Sequence, residues 1–257
     1  PMIAVMPDCF THFGGSQYVN STATGNYEDY LTQELVAFVD KNFRTINDRD
    51  SRAVMGKSSG GYGSLIMGMR HADTFGLVCS TAGDAYFEYC YPMDFAKAFR
   101  LIKGDAAGFM KEFWATEKHG KDDHSAINTI GMAACYSANG TDFDLPFDLE
   151  TGKIRQDVWA RWLEHDPVRL VEKSVENLKS LKLLFIDAGT SDEFALDVGA
   201  RILSNKLTTL GIRHIHEEFD DGHFSISYRF GRSLELISER IFNAETQRRG
   251  ENQKQGI

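Results

Sequence analysis

A serine between two glycines is the residue of this sequence best suited to nucleophilic chemistry. Ser58 lies in the segment Gly56-Lys57-Ser58-Ser59-Gly60, which matches the pattern G-x-S-x-G. An apolar run, residues 53–55, precedes the segment, and residues 62–69 continue with helical periodicity. This context predicts a strand that turns directly into a helix, whose positive end is directed at the serine hydroxyl. We therefore predict that Ser58 is a nucleophile.

The same segment resembles the end of a phosphate-binding loop. That motif needs a glycine five residues before the Gly56-Lys57 pair, where this chain has Ser51. It also needs a loop where this chain has an apolar strand. Nucleotide binding is excluded on these grounds.

A histidine in a later loop is the predicted base. A serine hydroxyl near pH 7 is a poor nucleophile and needs a base, which in a parallel sheet comes from a loop at the same carboxyl edge. His223 follows a segment with strand alternation and the flexible pair Asp221-Gly222. His214 and His216 lie within that strand, two residues apart, and we predict structural roles for them.

The acid that orients the base is predicted in the loop of residues 187–193. Asp192 lies past the glycine of this loop, where its carboxylate can reach an imidazole. Asp187, at the end of the strand, and Glu193 are the alternatives. The order Ser58, Asp192, His223 is the order of the α/β-hydrolase fold.

One donor of an oxyanion hole is predicted from position. The backbone N–H of Ser59 follows the nucleophile directly. The second donor usually comes from a loop after an earlier strand, and we expect that part to lie outside this sequence.

Composition and charge argue against several classes of protein. The chain has 257 residues, a formal net charge of -9 and no basic stretch, which argues against a nucleic-acid partner. No run is long enough to span a membrane. The four cysteines have no metal-like spacing and are predicted to be reduced core residues, which favours a cytoplasmic location. We expect no metal and no cofactor.

The order of the predicted elements indicates an α/β fold with a mostly parallel sheet flanked by helices. Strands are predicted over residues 2–8, 53–55, 76–82, 181–187 and 213–219, and helices over 27–43, 62–69, 193–210 and 225–242. Residues 1–82 and 181–243 are predicted to form the core, residues 83–180 a helical cap inserted over the site, and residues 244–257 a polar tail.

The predicted cap and the first loop are rich in aromatic residues. Gln17, Tyr18, Tyr62 and Trp159 are candidate substrate contacts, with packing as the alternative role for each. An aryl or acyl ester would suit such a site.

Four stretches resemble the family of α/β-hydrolases known as putative esterases, which includes esterase D-like enzymes, enterochelin esterases, feruloyl esterases and mycolyltransferases. They are Val5-Met6-Pro7-Asp8 with Gly14-Gly15-Ser16-Gln17-Tyr18, residues 56–63, residues 189–193, and Gly222-His223. Ser58, Asp192 and His223 fall on the family's nucleophile, acid and base. The resemblance implies a cofactor-free hydrolase that works through an acyl-enzyme on a small-molecule ester.

The chain departs from the family at its beginning, where members carry further strands. We expect either that the strand at Met2 pairs directly with the Ser58 strand or that a second chain completes the sheet, and we predict a homodimer. The first functional hypothesis is a serine carboxylic-ester hydrolase. The alternatives are acyl transfer by the same residues, or a weak enzyme or non-catalytic binding protein that lacks the second oxyanion donor.

Overall fold

The structure, a computed structural model, describes residues 2–120 and 122–254, with side chains up to residue 242. The chain divides into two compact units. The first comprises Pro1–Thr45 and Tyr86–Leu170, and the second comprises Ile46–Ala85 and Val171–Ile257.

Four parallel strands form the sheet of the second unit. They are β1 (Ala53–Lys57), β2 (Leu77–Thr81), β3 (Leu183–Gly189) and β4 (Ile215–Phe219), in the spatial order β4-β3-β2-β1. Every residue of β2 and β3 is buried, which explains why these strands are nearly continuous apolar runs. The sheet confirms the predicted α/β class.

Helices cover both faces of this sheet. They are α1 (Ser59–Arg70), α2 (Val175–Ser180), α3 (Leu196–Thr209) and α4 (Arg229–Lys254), with 3-10 turns at Arg49–Ser51 and Val171–Lys173. Leu77 and Cys79 point to the face where Leu236 of α4 packs. Val78 points to the opposite face, because side chains alternate along a strand, and it contacts Gly68 of α1. The carboxyl ends of the strands and the loops that follow them therefore lie together at one edge.

Helix α4 is longer than predicted. The sequence predicts an end near Phe242, whereas the helix continues to Lys254. Ala, Glu, Gln and Arg dominate the added residues, and these residue types favour helix even where no apolar face is present. The last three residues of the predicted tail lie outside the described part of the chain.

The first unit is mostly helical. Its longer helices are Pro92–Ile102, Ala106–Ala115, Asp123–Tyr136 and Gln156–Leu163, with short helices at Phe87–Cys90 and Pro167–Leu170. Two-residue strands form three small hairpins, Phe10–Thr11 with Gly14–Gly15, Asn20–Ser21 with Gly25–Asn26, and Ala138–Asn139 with Asp142–Phe143. Aromatic side chains fill the interior, where Trp162 packs edge-to-face on Tyr91 and Phe95. That residues 83–180 act as a cap over the site stays a prediction.

The predicted strand over residues 2–8 does not form. No residue from 2 to 9 belongs to a strand, and the apolar side chains of residues 2–6 are exposed, Met6 by 93%. Strand β1 is an edge strand that pairs only with β2 among the described strands, so the first of the two alternatives, pairing of the Met2 segment with the Ser58 strand, does not form. A strand needs a hydrogen-bonded neighbour, and an apolar run in a sequence does not reveal whether one is present. The predicted homodimer stays a prediction.

The predicted helix at residues 27–43 forms, but without the expected buried face. It consists of Tyr27–Asp29, a π-helical segment Tyr30–Leu35, and Val36–Asn42. Thr32 is its one buried residue, while Phe38 is 59% exposed.

The four cysteines are buried and form no disulfide bond with one another, as predicted. Burial raises the pKa of the Cys79 and Cys135 thiols to about 12, so both remain protonated near neutral pH. Of the described helices, none is long and apolar enough to cross a membrane.

Candidate active site

The turn between β1 and α1 has the geometry of a nucleophile elbow. Ser58 stands between the strand and the helix with φ 57° and ψ -127°, a conformation that L-residues rarely adopt. Its N–H donates to the carbonyl of Thr81 on β2, and its carbonyl accepts the N–H of Tyr62. A Cβ atom at Gly56 would lie 2.8 Å from the Cα of Gly60, so the strand and the helix approach this closely only because residue 56 is glycine.

His223 lies within hydrogen-bonding distance of Ser58. Its Nε2 is 3.0 Å from Ser58 Oγ, and its Nδ1 is 2.9 Å from Asp192 Oδ2. Both His223 and Asp192 are more than nine-tenths buried. The other carboxylate oxygen of Asp192 accepts the N–H of Phe194, at 2.9 Å. The structure thus brings together the three residues predicted as nucleophile, acid and base, with the carboxylate held from both sides.

The two alternative acids have other partners. Asp187 is fully buried, and its Oδ2 accepts a hydrogen bond from Arg229 Nε at 2.7 Å. Burial raises the pKa of this carboxyl, while hydrogen bonds to Thr81 and Arg229 lower it. Glu193 accepts the backbone N–H of His223 at 2.6 Å. Asp187 therefore anchors α4 to the sheet, and Glu193 contacts the main chain of the histidine rather than its ring.

The loops that carry the acid and the base are joined along their main chains. The N–H of Thr190 donates to the carbonyl of Phe219, and the N–H of Ser191 donates to the carbonyl of Asp221. A Cβ atom at Gly189 would lie 2.6 Å from the carbonyl oxygen of Gly222. The relative position of Asp192 and His223 is therefore set by backbone contacts between the two loops.

The predicted oxyanion donor occupies the first position of a helix. Ser59 is the first residue of α1, so its N–H has no carbonyl partner within the helix. The dipole of α1 adds positive potential at the same end. This placement fits the predicted role, which stays a prediction.

Two of the predicted substrate contacts are buried. Tyr62, on α1, has no exposed surface, so in this structure its side chain offers no face to a ligand. Gln17 is also buried, and its amide donates to the hydroxyl of Tyr136 at 3.0 Å and to that of Tyr91 at 3.4 Å. Packing was the alternative role for both residues, and their role as substrate contacts stays a prediction.

Tyr18 and Trp159 lie in the first unit. The N–H of Tyr18 donates to Ser16 Oγ, and its φ is 57°. Trp159 is half-buried and packs edge-to-face on Phe95 at 5.6 Å between ring centroids. A substrate-binding role for these two residues stays a prediction.

The remaining histidines of β4 and the turn before it have structural surroundings. His214 Nε2 is 2.8 Å from Ser204 Oγ, and His214 Nδ1 is 2.9 Å from the carbonyl of Ile212. Burial lowers the pKa of His216, whose Nε2 lies 3.9 Å from Glu218. Across residues 2–120 and 122–242, no group of three or more His, Cys, Asp or Glu side chains is arranged to hold a metal ion.

Three further residues surround the histidine and were not identified from the sequence. Phe194 and Phe224 pack edge-on against the His223 ring, at 4.8 and 5.4 Å between centroids. The ammonium of Lys57 lies 6.0 Å from the centroid of Phe224. In the sequence, Phe194 directly follows Glu193, Phe224 directly follows His223, and Lys57 directly precedes Ser58. This adjacency to the predicted site residues was the signal that could have identified them.

Comparison with known proteins supports the resemblance to esterases that the sequence indicated. A family model described as "Putative esterase" matches residues 15–229. Esterase Rv1288 of Mycobacterium tuberculosis (strain ATCC 25618 / H37Rv) is 26% identical over 253 residues, which cover 94% of this chain and 46% of that protein. Esterase MT1326 of M. tuberculosis (strain CDC 1551 / Oshkosh) matches to the same extent. The chain thus spans about half the length of these curated relatives.

Solved structures agree in fold. A ferulic acid esterase superimposes with a TM-score of 0.52 at 19% identity, over 87% of this chain and 64% of that one. FphF, a fluorophosphonate-binding serine hydrolase of Staphylococcus aureus, superimposes with a TM-score of 0.52 at 18% identity, over 88% of this chain and 68% of that one. With the family model matched across most of its length, the chain belongs to the "Putative esterase" family of α/β-hydrolase enzymes.

Proposed function

We propose that this protein is a serine carboxylic-ester hydrolase that acts through an acyl-enzyme on Ser58. The observation that carries the proposal is the unbroken chain of contacts from Ser58 Oγ to His223 Nε2, at 3.0 Å, and from His223 Nδ1 to Asp192 Oδ2, at 2.9 Å. All three side chains come from loops at the carboxyl edge of one sheet.

The acylation step follows from this geometry. With its proton on Nδ1 and donated to Asp192, His223 has an unprotonated Nε2 that takes the proton of Ser58. Ser58 Oγ attacks the ester carbonyl carbon, and the oxygen of the tetrahedral intermediate accepts the N–H of Ser59. The C–O bond to the alcohol then breaks, and His223 returns the proton to the leaving oxygen. The products are the free alcohol and an ester between the acyl group and Ser58.

Deacylation repeats the same steps with water. His223 Nε2 removes a proton from water, the hydroxide attacks the acyl carbon, and the bond to Ser58 Oγ breaks as the proton passes to that oxygen. The carboxylic acid leaves and the serine is regenerated. Asp192, which is buried and lies 2.9 Å from His223 Nδ1, stabilises the imidazolium that forms in both halves of the cycle.

Hydrolysis of chromogenic esters tests the proposal. We expect the wild-type chain to hydrolyse 4-nitrophenyl acetate, butyrate or octanoate, and Ser58→Ala to lose this activity by at least about a thousandfold. Ser238→Ala, in helix α4, is the matched control and is expected to keep wild-type rates. Equal activity in the wild type and Ser58→Ala would show that Ser58 is not the nucleophile.

Two further readouts address the intermediate and its fate. Incubation with a fluorophosphonate should add one organophosphoryl group to the peptide that contains Ser58, measured by mass spectrometry, and none to Ser58→Ala. Addition of a simple alcohol separates hydrolysis from acyl transfer, because a transferase would convert most of the acyl group to the new ester. A labelled site elsewhere in the chain would contradict the proposal.

A further inference from the structure

A lysine and an exposed phenyl ring lie beside the proposed triad. Lys57 is the last residue of β1 and immediately precedes Ser58, while Phe224 immediately follows His223. The ammonium of Lys57 is 6.0 Å from the centroid of the Phe224 ring, which is 5.4 Å from the ring of His223. Each of the two side chains thus adjoins, along the chain, a residue of the proposed triad.

Three carboxylates of the two site loops have partners. Asp192 contacts the imidazole, and Glu193 accepts the N–H of His223. Asp221 accepts the N–H of Gly222 and the hydroxyl of Tyr228. The carboxylate of Asp220 is exposed. Among the residues that the structure describes, no carboxylate oxygen lies within 4.0 Å of Lys57 Nζ. The positive charge of Lys57 thus has no carboxylate partner among those residues.

Phe224 holds this charge in place and adds an apolar surface. The ring is 59% exposed, although it adjoins a histidine that is almost fully buried. A cation above an aromatic face is attracted by the ring quadrupole, which favours the lysine conformers that stay near the site. An exposed ring beside an unneutralised cation matches a ligand with an apolar part and a negative group.

The net charge of the chain makes this arrangement informative. At a net charge of -9, the summed charge of this chain disfavours anions. A local cation offsets that repulsion for an anionic substrate, whereas a neutral ester gains nothing from it. A carboxylate beside Lys57 would form a charge-assisted hydrogen bond, which is stronger than a bond between neutral groups.

We propose that Lys57 and Phe224 form a subsite that selects esters bearing a carboxylate, such as monoesters of dicarboxylic acids. The proposal rests on the function proposed above and specifies its substrate class. Lys57 contacts the negative group and Phe224 contacts the adjoining carbon atoms. The bonds made and broken at Ser58 are unchanged.

Matched substrates test the selectivity. Mono(4-nitrophenyl) glutarate and 4-nitrophenyl butyrate share a leaving group but differ in charge, and 4-acetoxybenzoate and its methyl ester place the charge on the alcohol side. We expect Lys57→Met to raise KM by about three- to tenfold for the anionic member of at least one pair, with kcat/KM for the neutral member changed less than about twofold. Lys57→Arg, which keeps the charge, should preserve the preference.

The controls separate this inference from the proposed function. Lys179→Met removes the same charge from the exposed end of α2 and should leave both members of each pair unaffected. Ser58-dependent hydrolysis of the neutral esters tests the function independently of Lys57. Equal losses for anionic and neutral esters in Lys57→Met, or no loss for either, would overturn the subsite.

Binding provides a measurement that does not need turnover. In the Ser58→Ala background, the affinity for mono(4-nitrophenyl) glutarate, measured by calorimetry, should fall by the same three- to tenfold on Lys57→Met, as estimated for an exposed ion pair. The affinity should also fall as salt is added, because screening weakens an exposed ion pair. An affinity that depends neither on Lys57 nor on salt would overturn the proposal.

Discussion

A single methyl group at Gly189 should separate the acid loop from the base loop. Gly189 is the last residue of β3, and a Cβ atom there would lie 2.6 Å from the carbonyl oxygen of Gly222 and closer still to that of Asp221. Ordinary contact begins near 3.4 Å, so in Gly189→Ala the main chain before His223 would have to move by about 1 Å. Both obstructing atoms belong to the backbone, so no side-chain rotation can relieve the overlap.

The expected loss of activity in Gly189→Ala follows from the hydrogen bonds of His223. The imidazole is 3.0 Å from Ser58 Oγ and 2.9 Å from Asp192, and a displacement of about 1 Å would carry both distances beyond hydrogen-bonding range. Misplacement of this size in a catalytic group costs on the order of a hundredfold in rate. We therefore expect kcat/KM of Gly189→Ala for 4-nitrophenyl butyrate to fall by about a hundredfold. Overpacking of this kind should also lower the free energy of unfolding by about 1–3 kcal/mol.

The assay needs a control for the substitution itself. Gly231, in helix α4, would carry a Cβ that meets no atom within 4 Å, so Gly231→Ala should keep wild-type activity and slightly raise stability. Rates are compared at a temperature where circular dichroism shows both variants to be folded. Wild-type kcat/KM in folded Gly189→Ala would refute the view that contact between the two loops sets the position of His223.

Two further predictions concern residues that support the site. Glu193→Ala removes the acceptor of the His223 N–H, now at 2.6 Å, and should lower kcat by about tenfold with little change in KM, whereas Glu193→Gln keeps an oxygen there and should restore most of the rate. Equal kcat in Glu193→Ala and the wild type would contradict a positioning role. Arg229→Met leaves Asp187 buried without its ion partner and should lower the free energy of unfolding in urea by about 3 kcal/mol, while Arg232→Met, whose partners Glu217 and Glu235 are more exposed, should cost much less. Similar losses in the two arginine variants would show that burial of Asp187 does not determine the cost.

The central sheet was predictable because its signals are local. Strands β2 and β3 are buried on both faces, so their apolar runs indicate strands wherever they occur. The turn at Ser58 was predictable for a similar reason, since only glycine permits the close approach at Gly56. The order of Ser58, Asp192 and His223 along the chain then agreed with their meeting at one edge of the sheet.

The errors concern properties that depend on distant parts of the molecule. The Met2 segment has the composition of a strand, yet it has no strand partner among the described residues. Tyr62 and Gln17 stay predicted substrate contacts, although packing buries Tyr62 and the amide of Gln17 bonds to two tyrosine hydroxyls, neither of which the sequence indicated. Lys57 and Phe224 adjoin the predicted nucleophile and base along the chain, but the 6.0 Å between the Lys57 ammonium and the Phe224 ring depends on the packing of the two loops.

The backbone conformation of Ser58 lowers the stability of the protein, while the Ser58 hydroxyl is needed for the proposed activity. A non-glycine residue at φ 57° and ψ -127° is strained, at a cost of order 1–3 kcal/mol that the surrounding fold must offset. Glycine would relieve this strain and remove the hydroxyl, so selection for a more stable protein alone would favour losing the serine. If the proposed chemistry is correct, catalysis is what maintains the strained turn, and a screen of variants for thermal stability would tend to recover inactive proteins altered at this residue.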